Sequence, residues 1–96
     1  MNFLEKRYQK SPDVVFRKIA DEMILVPIRN NVGDLESIYT LNEIAARIWE
    51  VIDKKDVQSI KEMLLNEFDI DEKSVEKDLI DFLTDLEKMG FIIAAN

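Results

Sequence analysis

The chain has 96 residues, 47% of them hydrophobic, with only two glycines and two prolines; this fits one compact domain with a single core and excludes a disordered linker or a two-domain enzyme. Thirteen basic against 20 acidic residues give a net charge of -7, and the bases gather early, with Lys6, Arg7, Lys10, Arg17 and Lys18 facing only Glu5 and Asp13 in residues 1–20. The acidic remainder repels phosphate and gains no counterion release, which argues against nucleic acid and for a basic peptide or a basic patch on a partner.

Residues 1–12 mix Phe3, Leu4 and Tyr8 with bases, show no clear period and end at Ser11-Pro12, so they are expected as a loosely ordered N-terminal arm. The alternative is that the arm's aromatics pack on a neighbouring subunit. Residues 13–96 are expected to form the domain. Val14 to Ile19, VVFRKI, is rich in β-branched and aromatic residues and reads as strand one. Glu22 to Ile28, EMILVPI, is the most apolar run and reads as strand two, with Ile24, Val26 and Ile28 on one face and Met23, Leu25 and Pro27 on the other. Both faces should therefore be covered, the second by the arm or by the other subunit of a homodimer. Asn30 to Asp34 is a turn cluster. Leu35 to Leu41 is strand three, with Leu35, Tyr39 and Leu41 on one face and Glu36, Ile38 and Thr40 on the other. Such a meander leaves at least one edge open.

Asn42 is a good N-cap for helix one, whose buried face would be Ile44, Ala45, Ile48, Trp49 and Ile52. Asp56 can cap helix two, with its stripe of Val57, Ile60, Met63, Leu64 and Phe68, ending near Glu67. Asp71 opens helix three, which runs to about Met89 with the stripe Val75, Leu79, Phe82, Leu83 and Leu86 and with Gly90 placed as a left-handed C′ residue. Ile80 lies about 100° round from Leu79, outside that stripe. Phe91 to Ala94 reads as a short returning strand. The fold class expected is α+β, like a winged helix-turn-helix: a three-stranded antiparallel sheet, then three helices and a short C-terminal strand.

Catalysis has little to draw on. Without Cys or His there are no thiolates, few zinc sites and no usual general base, so no catalytic residue, metal or cofactor is expected. The pairs Asp69 with Asp71, Asp78 with Asp81 and Asp81 with Asp85 lie off the apolar stripe and read as solvated surface. Trp49 reads as core and Arg47 as an exposed helix arginine. A winged-helix transcriptional regulator or protein-interaction module is the main alternative, but the recognition helix would offer DNA only Lys73, Lys77 and Lys88 amid a majority of acids. No apolar run approaches the about 20 residues of a membrane span and residues 1–10 lack a signal-peptide core, so a cytoplasmic protein without membrane contact is expected.

Leu41-Asn42-x-x-Ala45-x-x-Ile48-Trp49 resembles the LNxxAxxIW signature of PqqD-like proteins, the peptide-recognition domains of pathways that modify ribosomally made peptides. Val15 to Pro27 is similar to the family's strand pair, and Phe68-Asp69-Ile70, Val75, Asp78, Phe82-Leu83, Leu86 and Gly90-Phe91-Ile92 to its closing helix and terminus. The turn at Asp53 to Asp56 departs from the family in lacking a glycine. The resemblance implies a non-catalytic adaptor that takes the leader of a precursor peptide as an added strand on strand three, in a groove bounded by helix three. A separate modifying enzyme, often of the radical SAM class, would then act on the presented peptide. Strand addition needs an open edge and pockets for alternate side chains. Glu36, Ser37, Ile38, Tyr39 and Thr40 are the expected edge, with Leu79, Ile80 and Leu83 as apolar contacts from helix three.

Overall fold

The structure, a computed structural model, describes residues 2–29, 32–33 and 38–95. A 3-10 turn at Phe3–Glu5 precedes β1 (Arg7–Lys10), β2 (Val14–Ile19), β3 (Glu22–Arg29), β4 (Val32–Gly33) and β5 (Tyr39–Leu41). Then come α1 (Glu43–Val51), α2 (Val57–Glu67), α3 (Glu72–Lys88) and β6 (Ile92–Ala95). The expected α+β architecture is present, with the antiparallel sheet first, three helices after it and a terminal strand.

β2 and β3 form a hairpin in which Ile19 faces Glu22, turned by Ala20 and Asp21. Ala20 has φ 55°, the positive value that two-residue hairpin turns require at their first central position. On the other edge of β3, Met23, Ile24 and Leu25 face Leu41, Thr40 and Tyr39, while Ile28 and Arg29 face Gly33 and Val32. Of the third strand expected over 35–41, β5 forms 39–41 and residues 35–37 lie outside the described residues, while β4 falls at Val32–Gly33, where the turn was expected, and pairs with β3 in a different register.

The Ile28 N–H donates to the Asp13 carbonyl at 2.6 Å, so even-numbered residues of β3 direct their backbone groups toward β2. Odd-numbered residues therefore face the third strand, where Met23 and Leu25 pair with β5. Pro27 is the next odd residue and has no N–H to give. β4 pairs with β3 just beyond it, at Ile28 and Arg29.

The N-terminal residues depart from expectation. Residues 7–10 are not loose: β1 pairs with β6, Arg7 facing Ala95 and Lys10 facing Ile92. Tyr8 is 3% exposed within the chain's own core. Further ties come from the Val57 N–H to the Lys6 carbonyl at 3.0 Å and the Ser11 N–H to the Phe91 carbonyl at 2.9 Å. These partners lie some 50 to 90 residues away in sequence, so no local pattern announces them.

The core forms where Leu25 and Leu41 of the sheet meet Ile48, Trp49 and Ile52, Ile60 and Leu64, and Val75, Leu79, Leu83 and Leu86 of the helical layer. On β3, Ile24, Leu25 and Val26 are all buried, so both faces are covered within one chain. Trp49 is a core residue, as its spacing suggests, with Lys10 Nζ 5.2 Å from its ring. Each helix begins on a side-chain cap: Asn42 accepts from the Ala45 N–H, Asp56 from that of Ser59 and Asp71 from that of Ser74. α3 ends in a Schellman motif, with the Phe91 N–H on the Leu86 carbonyl, the Gly90 N–H on that of Glu87, and Gly90 at φ 77°.

Arg47, read from sequence as an exposed helix arginine, joins helices, and so does Lys61. Arg47 grips Glu67 with two hydrogen bonds, at 2.7 and 2.8 Å, and reaches Glu50 at 2.8 Å. Those bonds raise its pKa and lower that of Glu67. Lys61, 6% exposed, sends its ammonium to Glu72 at 3.0 Å and Glu76 at 2.9 Å, linking α2 to α3. Among the described residues no helix is long and apolar enough to cross a membrane.

Candidate functional site

β5 is the edge where strand addition can be examined. Its residues pair with β3 on one side only, and among the described residues no strand lies on its other side. By the alternation that turns the backbone groups of Tyr39 and Leu41 toward β3, those of Thr40 face outward, as do those of Ile38 along the same course. Unpaired N–H and C=O groups on such an edge are a template for another extended chain. Exposure follows the pleat: Leu41 is buried and Tyr39 half-buried toward the helices, whereas Ile38, 39% exposed, and Thr40 remain accessible.

Tyr39 connects the edge to the helical layer. Its ring lies 6.0 Å from Phe82 of α3 and 6.5 Å from Phe91, tilted against the first and edge-on to the second. Burial, and then the Asp85 carboxylate, raise the pKa of its hydroxyl above 10. Asp85 follows Phe82 by three residues, so on a helix it falls on the same side of α3 as the ring that meets Tyr39.

Beside Phe82 a depression of about 210 Å³ opens between α1 and α3. Ile44 and Ile48 line it from α1, and Val75, Leu79 and Phe82 from α3. The polar residues at its border include Asn42, Ser74 and Asp78. Asn42 is held there because its side chain caps α1, so the residue that starts the helix also fixes one side of the depression.

The sequence-predicted residues sort as follows. Ile38, Tyr39 and Thr40 lie together on the β5 edge, and Leu79, though only 1% exposed, lines the depression. Leu83 is fully buried, so its side chain is core packing. Ile80 is not brought to this side: it lines a separate shallow depression with Lys73, Glu76, Lys77 and Asp81. Glu36 and Ser37 lie outside the described residues. Sequence reasoning did not place Phe82, Asp78, Asn42 or Ile44 at the site. Phe82 sat within the apolar stripe, but only its side position relative to Leu79 and Leu83 marks it as the residue that leans outward. Among the described residues no cluster of three or more His, Cys, Asp or Glu could hold a metal ion.

Two solved structures resemble the chain. "TbiB1 in Complex with the TbiA(beta) Leader Peptide" superposes with a TM-score of 0.71 at 27% identity, covering 88% of this chain and 93% of its own. "Lasso peptide synthetase B1 complexed with the leader peptide" gives a TM-score of 0.73 at 19% identity, covering 91% and 98%, and shares the fold. No curated protein matches the sequence. The family model described as Coenzyme PQQ synthesis protein D (PqqD) matches residues 22–92, well over half of the chain and including the Leu41 to Trp49 signature. The chain belongs to the PqqD family.

Proposed function

We propose that this protein is a non-catalytic adaptor that takes the leader segment of a ribosomally made precursor peptide as an added strand on β5. The observation that carries this reading is the open edge at Ile38 to Thr40 standing beside an apolar depression, joined to it by the Tyr39–Phe82 contact. The two structural relatives, both determined with leader peptides bound, support it.

In this reading the Thr40 and Ile38 backbone groups pair with the peptide. Each hydrogen bond contributes on the order of 1 kcal/mol net, so burial of an apolar peptide side chain against Phe82 and Leu79 must offset the ordering of the peptide. Leu83 holds α3 in place from beneath, and Ile80 contacts the peptide only where it wraps past the helix. The presented peptide is then acted on by a separate modifying enzyme, for which the radical SAM class is the expectation. The adaptor itself supplies binding and orientation.

The test is a titration of the isotope-labelled protein with the leader of the precursor encoded beside it. Amide shifts concentrated on Ile38 to Leu41 and around Phe82 are expected. Binding that leaves those amides still while moving others would remove strand addition at β5 from consideration.

A further inference from the structure

The carboxylates of α3 differ in their partners. On one flank Glu72 and Glu76 share Lys61 Nζ. On the flank turned to β5, Asp78 borders the depression beside Phe82, and Asp85, one turn beyond Phe82, shares the side of α3 that meets Tyr39. Neither has an ion-pair partner among the described residues. No lysine or arginine lines the depression. Asp78 and Asp85 are seven residues apart, about 10 Å along the helix axis, and Phe82 lies between them on nearly the same face. In the free protein water solvates both acids. A strand added to β5 would displace part of that water and bring its own side chains against them, so its charge would matter more there than on an open surface.

We propose that the peptide accepted by this groove carries lysine or arginine on the side of its strand that faces α3, two residues to either side of the apolar residue that enters the depression. The proposal rests on strand addition at β5 and adds the chemistry that selects the peptide. The spacing follows from geometry. Same-face residues of an extended strand recur every ~6.6 Å, so cations flanking a central anchor stand ~13 Å apart. Flexible lysine or arginine side chains reach acids about 10 Å apart from that distance, while the anchor meets Phe82. Glutamate or aspartate at the same positions would meet like charge.

The test is a selection of a displayed library of random 12-residue peptides on the full chain, followed by binding measurements on the peptides recovered. Enrichment of an apolar residue flanked at two-residue spacing by lysine or arginine is expected, in peptides that shift the Thr40 amide. Those peptides should bind the Asp78→Asn, Asp85→Asn double variant about tenfold more weakly and lose affinity with salt. The Asp81→Asn variant, altered on the flank shared with Lys73 and Lys77, should bind them as the parent does. Peptides that shift the β5 amides but show no basic bias, and bind the double variant equally well, would overturn the charge preference and leave strand addition standing. Recovery of no peptide, or only of peptides that bind away from β5, would overturn both.

Discussion

The ring of Tyr39 stands 6.0 Å from that of Phe82, so a single aromatic contact fixes the distance between the first residue of β5 and the middle of α3. An edge strand with no partner beyond it is ordinarily free to bend. Here it is held against the helix that borders the apolar depression, and edge and depression present themselves to a ligand as one surface.

Phe82→Ala should loosen that arrangement. Phe82 is half-buried, so truncation should cost about 1–2 kcal/mol in urea unfolding, below the 3–5 typical of a fully buried ring. Peptide affinity should fall by at least tenfold, measured by calorimetric titration. Unchanged affinity with reduced stability would mean that Phe82 serves the core alone.

Proline substitutions can test the direction of the backbone groups. Thr40→Pro removes an N–H that points away from β3, so the fold should survive while strand addition is lost. Leu41→Pro removes an N–H that pairs with Met23 and replaces a buried side chain, so it should destabilise by roughly 3 kcal/mol or more. Circular dichroism melts and peptide titration on both variants separate the outcomes; equal destabilisation by the two would contradict the register.

The Tyr8 hydroxyl is buried without a hydrogen-bond partner among the described residues. Tyr8→Phe keeps the ring packed against the core and removes the unsatisfied group, so stability should rise by about 1 kcal/mol. Burial, and secondarily Glu87, raise the Tyr8 pKa above its ordinary 10.0. Its neutral form is the one the fold favours. The resulting stability is therefore fully present below pH 10 and is lost as pH rises through the folded-state value. Tyr39 behaves alike, for burial and then Asp85. Denaturant melts across pH 9 to 11.5 should show alkaline destabilisation that shrinks in Tyr8→Phe.

Among the described residues two turn residues have positive φ, and they predict opposite effects. Ala20 at 55° carries a side chain where glycine is favoured, so Ala20→Gly should stabilise by roughly 0.5 kcal/mol. Gly90 at 77° has open space around a built Cβ, so Gly90→Ala should cost about 1 kcal/mol through backbone strain alone. Thermal melts of the pair would check the signs.

Local signals were the legible ones. Asn42, Asp56 and Asp71 each cap the helix that their position in the sequence suggested, and Gly90 ends α3 as its placement implied. What escaped depends on partners distant in the chain. The β1–β6 pairing has no local pattern, and the direction in which β3 turns its backbone groups is supplied only by the pairing register. The same holds for the groove: apolar spacing identifies the buried stripe of α3, but not which member of it faces α1 and β5 at the surface. Leu79, Leu83 and Phe82 look alike in a periodic pattern and separate only once neighbouring elements are in place.

The pairing of Arg7 with Ala95 also sets an order of events during folding. β2 and β3 can meet as soon as the two residues between them have turned, whereas β1 must wait for nearly the whole chain to be made before its partner exists. Closing so long a loop comes at an entropic cost that only the completed core can offset. The N-terminal strand should thus dock late, and, held by one partner strand where β3 has partners on both sides, it should open before β3 does. In native-state hydrogen exchange the β1 amides should exchange ahead of those in β3, and Tyr8 should become visible to solvent before the sheet that carries the binding edge is disturbed.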